Sequence, residues 1–458
     1  MRQSLEWARE EFGAADLGDV RRRRRLIEIA AAYVERPGGK VTEVMSCTAE
    51  REGAFRFVEN ESISPAAIAE GHHAATARRC RSVPEVLVAV DQSTLTLTDR
   101  VGKTGFGRVG SVGSQYTGGF EAMTALAVTP DGVTQGVLAQ HWWSRTEKSP
   151  EWKGDLRPPE ERESDLWRRA LTTSHDTLRC HAPRTVPWFQ VDRGADSAAV
   201  LRLARDKQLK ITVRSAYDRR LANGGYLHQS LRRRRVLGHL RVRIPARTDR
   251  PSRDAHLSIR MAAVKLLLRD VRGRKLGIAE MVCVYVRERR APRHGEAIEW
   301  WLLTTAPVTC IEDALLVVAN YRHRWKIEEF HKAWKSGVCR IEDSQLRTAG
   351  NFQRWATIAV AVAARAERLK TSSRAAPDVS ARSELSRSEI DASIILSRTK
   401  KHVVGDDLTL GEVTDLIARI GGYIGKSSGG PPGVRVLQRG LERVLPAAQA
   451  IEALRKSD

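Results

Sequence analysis

The sequence predicts an α/β protein in which an all-α N-terminal module and a helical C-terminal region flank a central part with a β-rich insertion. Residues 1 to about 75 show helical spacing and no clear strand. Two short apolar runs, 86–91 and 186–192, have the composition of strands buried on both faces, and each ends in an aspartate. From 211 to about 305, apolar and basic residues alternate with a period of two, which is typical of a sheet with one apolar and one charged face.

The elements of this fold follow in order along the chain. A helix should end at 36–39, where Arg-Pro-Gly-Gly cannot continue it, and the five arginines at 21–25 open an apolar helical segment. Later elements are predicted as a β-hairpin around the turn at 129–132, helices at 165–178 and 197–206, strands at 240–244, 257–261, 281–286 and 300–303, helices between 312 and 369 with a break near Gly337, a mobile connector at 370–400, and helices at 409–420 and 435–454. We therefore expect three domains: 1–75, 76–370 with the insert at about 211–305, and 371–458.

Basic residues are in large excess. Lysine and arginine number 77 against 55 acidic residues, which gives a formal charge of +22. Residues 201–250 alone hold 15 basic and 3 acidic residues, a net of +12. This balance points to a polyanionic partner, with nucleic acid as the default, although a solvated loop without a partner is the alternative for 201–250.

Composition and spacing argue against several other classes of protein. No apolar run reaches the roughly 18 residues of a membrane span, and the charged first ten residues are unlike a signal peptide. The six cysteines form no CxxC pair and no histidine stands at zinc-finger spacing, so neither a zinc site nor a disulfide framework is expected. We expect a cytoplasmic protein that makes no contact with a membrane.

One predicted helix concentrates polar residues on one face. Tyr321, Arg324, Glu328, Lys332 and Lys335 are spaced 3, 4, 4 and 3 residues apart, which places them within roughly an 80° arc of a regular helix. Three apolar side chains that would bury the helix fall on the opposite side: Ile327, Phe330 and Trp334. The alternative interpretation is an amphipathic surface helix whose Glu328 only forms i,i±4 ion pairs.

Three carboxylates are predicted to converge from separate elements. Asp91 and Asp192 end two buried strands, and Glu328 lies on the polar face of the helix. Two-metal phosphoryl transfer needs such carboxylates around two divalent cations roughly 4 Å apart, and hard oxygen ligands suit Mg²⁺ or Mn²⁺. The sequence therefore predicts a two-metal site, with three cations beside it to hold DNA phosphates: Arg324, Lys332 and Lys335.

This helix resembles the signature of the IS-four family of bacterial DDE transposases, and most closely its Tn-five type. The resemblance lies in the spacing Tyr321-x2-Arg324-x3-Glu328-x6-Lys335 and in the run from Trp325 to Lys335. The similarity extends over nearly the whole chain, through residues 6–8, 15–19, 53–58, 90–94, 191–193, 300–305 and 420–423. Two departures stand out: Gly194 occupies a position that is often acidic in the family, and the C-terminal region lacks the tryptophans of the Tn-five type.

This resemblance implies an RNase H-like catalytic core interrupted by the β-rich insert, an N-terminal DNA-binding module and a C-terminal dimerisation region. It implies that Asp91, Asp192 and Glu328 form the catalytic triad. It also implies six DNA-contacting residues: Tyr321, Arg324, Lys332, Lys335, Arg214 and Trp300. Trp300 would stack on a base flipped out beside the transposon end. Since adjacent Trp300 and Trp301 point to opposite faces of a strand, one should be available to a ligand, although packing is the alternative for Trp300.

The function predicted from the sequence is cut-and-paste DNA transposition by a homodimer that binds two transposon ends and target DNA. The resemblance implies end cleavage by water, hairpin formation at the end and strand transfer, in a bacterial cytoplasm and in association with the nucleoid. Two alternatives stay open: a catalytically inactive DNA-binding repressor derived from a transposase, and an RNase H-like nuclease without strand transfer.

Overall fold

Both apolar runs that end in an aspartate form strands in the centre of one large mixed sheet. The computed structural model describes residues 2–97, 105–112, 115–144, 163–244, 252–270, 273–290, 292, 296–425 and 430–455. The strands are β1 (Glu85–Thr96), β2 (Gly107–Val112), β3 (Gln115–Val128), β4 (Thr134–Trp143), β5 (Val186–Val191), β6 (Lys210–Arg214), β7 (Gly238–Ile244), β8 (Arg253–Arg269), β9 (Lys275–Glu288) and β10 (Glu299–Thr304).

The pairing of the first strands defines the core. β1, β3 and β4 form an antiparallel meander through the predicted hairpin turn, and β2 pairs with the start of β3. β5 pairs with β1 in parallel, and β6 pairs with β5 in parallel. The resulting order, β4-β3-β1-β5-β6, is that of an RNase H-like core. The predicted fold class is thereby confirmed.

The β-rich insert extends the same sheet. β10 pairs antiparallel with β6, and β9, β8 and β7 follow outward in that order. One face buries apolar residues such as Leu257, Ile259 and Val286 in the core, whereas His239 and Arg241 on the other face are exposed, as the alternating pattern predicted. β6 lies within the expected range of the insert, but its parallel pairing with β5 makes it a core strand.

Helices surround the sheet on both sides. They are α1 (Arg2–Phe12), α2 (Val20–Glu35), α3 (Val41–Val44), α4 (Thr48–Glu59), α5 (Pro65–Arg79), α6 (Glu163–His181), α7 (Ala198–Asp206), α8 (Leu227–Arg232), α9 (Ile311–Arg322), α10 (Lys326–Lys332), α11 (Ala349–Ala375), α12 (Arg387–Ser397), α13 (Leu410–Ile420) and α14 (Val434–Leu454). The first five form the predicted N-terminal module. Asp19 caps α2 by accepting from the backbone N–H of Arg21, so the arginine run does open a helix.

The long helix α11 joins this module to the rest of the chain. Arg354 is buried and donates to the carbonyl oxygens of Val58, at 2.9 Å, and Ile63. The indole Nε1 of Trp355 donates to the carbonyl oxygen of Gly39 at 3.0 Å. These bonds satisfy backbone groups where helices of the module end, which fixes the module against α11.

The prediction of a mobile connector at 370–400 was wrong, because this segment forms the end of α11 and all of α12. The few large apolar side chains misled the prediction, because those that are present, Ile390 and Ile394, are buried in the core, and polar contacts add to their effect. Ser386 and Glu389 form a capping box, and buried Asp391 pairs with Arg387 at 3.4 Å and Arg455 at 2.6 Å. Core packing, caps and ion pairs together therefore order this segment.

Candidate active site

Asp91 and Asp192 lie side by side where the parallel pairing of β1 with β5 ends. The prediction that the first strand ends at Asp91 was wrong, because β1 stays paired with β3 as far as Thr96. Val90 and Val191 are direct partners in the parallel pair β1–β5, so the residue after each falls on neighbouring strands about 4.8 Å apart. Asp192 also begins a 3₁₀ turn, and its Oδ1 accepts from the backbone N–H of Gly194 at 2.8 Å. The sheet therefore brings these two predicted carboxylates together.

The helix that carries Glu328 is not regular, contrary to the prediction. α9 ends at Arg322, residues 323–325 form a 3₁₀ turn, α10 covers only Lys326–Lys332, and residues 333–337 form a π-helical turn. The predicted 80° arc assumed 3.6 residues per turn throughout, which fails across these turns. The apolar side is as predicted, with Ile327, Phe330 and Trp334 fully buried.

A guanidinium joins two of the three carboxylates. Arg324 donates through Nη1 to Oδ2 of Asp91 and through Nη2 to Oε1 of Glu328, both at 2.8 Å. The Arg324 side chain is 12% exposed, so it points into the site and not outward as the helix-face argument predicted. Tyr321 is also buried, at 5% exposure. Charge-assisted bonds in a half-buried setting are strong enough to fix this geometry.

The three carboxylates bring an excess of negative charge to the site, which Arg324 offsets only in part. Burial raises the pKa of Asp91 to about 6, and the negative charges of Asp192 and Glu328 add to the increase against the opposing effect of Arg324. Within the described residues, no three carboxylate, imidazole or thiol groups stand close enough to hold a metal ion in the present arrangement. The donor set suits a hard divalent cation, but the Arg324 guanidinium lies between Asp91 and Glu328.

An open cavity of about 460 Å³ adjoins these residues, and its lining includes Asp91, Ser93, Glu328, Lys332, Lys335 and Glu342. Lys332 is exposed to the cavity. Lys335 is turned toward β1 by the π-helical turn, where it donates to the carbonyl oxygen of Thr94 and lies 3.5 Å from Glu342. Positive side chains at the rim of a cavity that is lined by carboxylates can bind the phosphate backbone of a nucleic acid over that cavity.

The remaining predicted DNA contacts occupy the end of β6 and the start of β10. Arg214 ends β6 beside the site. Its pKa is lowered by burial and by neighbouring Arg193 and Arg324, and its buried Nε has no hydrogen-bond partner among the residues that the structure describes. Trp300 is partly exposed and makes an edge contact with Tyr321, with ring centroids 5.7 Å apart. Trp301 points to the opposite face, as predicted, and is stacked against Tyr285 at 3.7 Å.

Sequence reasoning missed Asp196, which ties two site segments together. Its buried carboxylate accepts from Ser215 Oγ at 3.0 Å, from Ala216 N at 2.8 Å and from Arg219 Nε at 2.8 Å. The turn after Asp192 is thus attached to the loop after Arg214. The only sequence signal was an aspartate four residues beyond a predicted ligand, which is too weak to interpret alone.

Comparison with known families agrees with this geometry. Residues 4–63 match the family model described as Transposase DNA-binding, and residues 158–364 match Transposase DDE domain. Residues 361–456 match Transposase Tn5 dimerisation domain. The chain belongs to the Tn5-like DDE transposases. As a Tn5-like DDE transposase it is a DNA-cleaving and strand-transferring enzyme, with a DNA-binding and a dimerisation domain.

The DDE model covers Asp192 and Glu328 of this transposase but begins after Asp91. Among solved structures, a piggyBac transposase synaptic complex with hairpin DNA, determined by cryo-EM, is similar with a TM-score of 0.36 and 10% identity, over 82% of this chain and 67% of that chain. DDE transposase domains generally depend on divalent metal ions. No helix among the described residues of the transposase is long and apolar enough to cross a membrane.

Proposed function

We propose that this transposase acts by cut-and-paste transposition, with Asp91, Asp192 and Glu328 as its catalytic triad. The observation that carries the proposal is the placement of Asp91 and Asp192 on adjacent parallel strands, with Glu328 linked to Asp91 through one guanidinium. Carboxylates on rigid elements can be held within the narrow tolerance that phosphoryl transfer needs.

The three carboxylates would hold two Mg²⁺ or Mn²⁺ ions once Arg324 moves from its position between Asp91 and Glu328. When bound, the two ions supply activation of the attacking oxygen and stabilisation of the leaving oxygen. Water would first attack the phosphodiester at the transposon end, which releases a 3′-hydroxyl. That hydroxyl would then attack a phosphodiester of the opposite strand to give a hairpin. After the hairpin has been opened, the 3′-hydroxyl would attack a phosphodiester of the target. Each attack breaks one P–O bond and forms another.

The basic side chains around the cavity would bind DNA phosphates and orient the scissile bond. Positive charge comes from four side chains: Lys332, Lys335, Arg324 and Arg214. Tyr321 is buried beside Arg324. Release from Asp91 and Glu328 would free Arg324 to reach a phosphate. The partly exposed ring of Trp300 would stack on an extruded base, a contact worth about 1–3 kcal/mol.

We further propose that residues 1–75 bind transposon ends, 76–370 form the catalytic domain and 371–458 support a homodimer in the synaptic complex. The large positive charge suits the two DNA partners, the transposon ends and the target duplex. Since those partners are chromosomal, the proposed location is the bacterial nucleoid.

The test replaces Asp91, Asp192 and Glu328 singly with Ala and uses a duplex made from the inverted repeats that flank the coding sequence. Mg²⁺-dependent cleavage should be lost while end binding is nearly unchanged, because these carboxylates would hold metal and not phosphate. The matched control is Asp206→Ala, which removes an exposed carboxylate at the end of α7. This variant should cleave DNA at the wild-type rate. Cleavage by Glu328→Ala near the wild-type rate would remove Glu328 from the triad.

Product analysis separates the proposal from its two alternatives. A pre-cleaved end with a free 3′-hydroxyl is incubated with plasmid and Mg²⁺. Joined products support a transposase. Nicks without joining indicate a nuclease, and binding without either product indicates an inactive repressor.

A further inference from the structure

The helix that carries Glu328 is bounded at both ends by turns that are not α-helical. α10 has seven residues and lies between a 3₁₀ turn and a π-helical turn. Both kinds of turn change the rotation per residue from that of an α-helix, so the orientation of α10 about its own axis differs from the one that a continuous α9 would impose. Ile327 and Phe330 pack one face of α10 in the core, and polar contacts of α10 add to what sets the direction in which Glu328 points.

A strong polar contact of α10 comes from the residue after Glu328. Glu329 Oε2 lies 3.1 Å from Nζ of Lys370, which is on α11 and only 4% exposed. Lys370 also pairs with Glu367, one turn earlier on α11 and 1% exposed. Lys326 lies farther from the same Glu329 carboxylate, at 3.6 Å, and is more exposed.

The charges in this cluster depend on one another. Burial raises the pKa of Glu367, and Lys370 opposes that increase. Burial also acts to raise the pKa of Glu329, but Lys370 and Lys326 outweigh it, and the pKa of Glu329 is lowered. Lys370 and Glu367 are buried, whereas the Glu329 side chain is 35% exposed. A largely buried ion network adds little net stability compared with apolar packing of the same volume, and in some proteins it serves to fix a geometry. Its position between α10 and α11 therefore suggests a role in orientation.

We propose that Glu329, held by Lys370, which itself pairs with Glu367, is a positioning residue that helps to set the rotation of α10 and thereby aims Glu328 at Asp91. Successive residues of a helix differ by about 100°, so fixing Glu329 against α11 fixes the direction of Glu328. This inference rests on the proposed catalytic role of Glu328.

The test is Glu329→Gln, which keeps the shape of the side chain and removes its charge. Lys370 still pairs with Glu367, so the fold should hold and the thermal midpoint should stay near that of the wild type. The kcat for end cleavage should fall about 10- to 100-fold, as expected for a displaced catalytic group. KM for the end duplex should be unchanged, and the Mn²⁺ concentration that half-saturates the protein–DNA complex, measured by calorimetry, should rise.

The matched control is Lys326→Gln, which removes the longer pair to the same Glu329 and leaves Lys370 in place. It should cleave within about twofold of the wild type, as expected for loss of a partly exposed ion pair. The proposal is overturned if Glu329→Gln also cleaves within twofold of the wild type. It is also overturned if kcat and thermal midpoint fall together with unchanged Mn²⁺ binding, because that pattern marks a merely structural contact. Glu328→Gln tests the underlying assumption separately, since full activity there would refute the triad itself.

Discussion

Arg324 donates to Asp91 across 233 residues of sequence, at 2.8 Å, and the same guanidinium also binds Glu328. The side chains of Arg324 and Asp91 are only 12% and 16% exposed. In the protein without metal or DNA, this cation therefore offsets part of the charge of two carboxylates that would hold a metal ion. Metal binding and release of Arg324 should be coupled, because both cations compete for the same oxygen atoms.

Replacing Arg324 with Gln should make the free protein more responsive to Mg²⁺. Without metal, the free energy of unfolding should fall by about 2 kcal/mol, because Asp91 and Glu328 lose a charged donor. Added Mg²⁺ should then raise the thermal midpoint more in the variant than in the wild type, since it no longer has to displace a guanidinium. Exposed Arg322, replaced with Gln, is the control. An equal Mg²⁺ response in the Arg324 variant and the wild type would contradict the coupling.

The two adjacent tryptophans should respond differently to replacement with Ala. Trp301 is 5% exposed and stacked between Tyr285 and His228, so its loss should cost about 3–5 kcal/mol of stability. Trp300→Ala should keep the fold and first-strand nicking but slow the next step, in which a base is extruded. Thermal unfolding and a time course of both cleavage products test this. If nicking and the second step slow equally, Trp300 is a packing residue.

The arginine run at the start of α2 should contribute to the salt dependence of end binding. Arg21 and Arg24 are 89% and 83% exposed, and their ion pairs with Asp19 and Glu28 are weak at such exposure. Replacing residues 21–25 with Gln should flatten the slope of log affinity against log salt by roughly two to three units. The thermal midpoint is checked first, and Arg419→Gln on α13 serves as the control. An unchanged slope and affinity would mean that the run touches no DNA.

Asp196 should be important for stability as well as for cleavage. Asp196→Asn leaves Arg219, 13% exposed, without its counter-charge, which should cost about 3 kcal/mol. Cleavage should slow too, because the turn after Asp192 and the loop after Arg214 lose their common anchor. Urea unfolding and end-cleavage rates measure the two effects. Exposed Asp206→Asn should change the free energy of unfolding by less than about 0.5 kcal/mol, and a similar small change for Asp196→Asn would refute the anchoring role.

A buried histidine of α5 should add to acid sensitivity. Burial lowers the pKa of His73 to about 3, with a smaller effect from His141. Between pH 6.5 and about 3 the unfolded chain binds a proton that the folded chain excludes, so stability falls as the pH falls through this window. One such proton contributes up to about 1.4 kcal/mol per pH unit. Urea unfolding from pH 7 to pH 4 should show a shallower decline for His73→Gln, and His256→Gln, at an exposed position of β8, should match the wild type.

The sequence predicted the two central strands that position Asp91 and Asp192 well, because the signals for these strands are local. A continuous apolar run ending in an aspartate identified both β1 and β5, and the alternating pattern identified the insert. β2, in a glycine-rich stretch, was not predicted, since its pairing with β3 depends on tertiary contacts. Parallel pairing of β6 with β5 was missed for the same reason.

Features that depend on partners distant in the chain could not be predicted. The periodicity argument assumed a regular helix from Tyr321 to Lys335, and the 3₁₀ and π-helical turns leave no distinct residue pattern. Lys370 was assigned to a polar connector because its partner Glu329 is 41 residues away. A lone acidic or basic residue carries no sequence signal until the fold supplies its counter-charge.

The 27-residue helix α11 sets the distance between the N-terminal module and α10. Arg354 holds the module and Lys370 holds α10, and 16 residues of helix separate them by about 24 Å. No proline interrupts the span, so it has no built-in kink. Inserting a single residue between the two anchors would turn one by about 100° relative to the other. Substitutions within α11 should therefore be tolerated far better than insertions or deletions, because only the latter change the length of the helix.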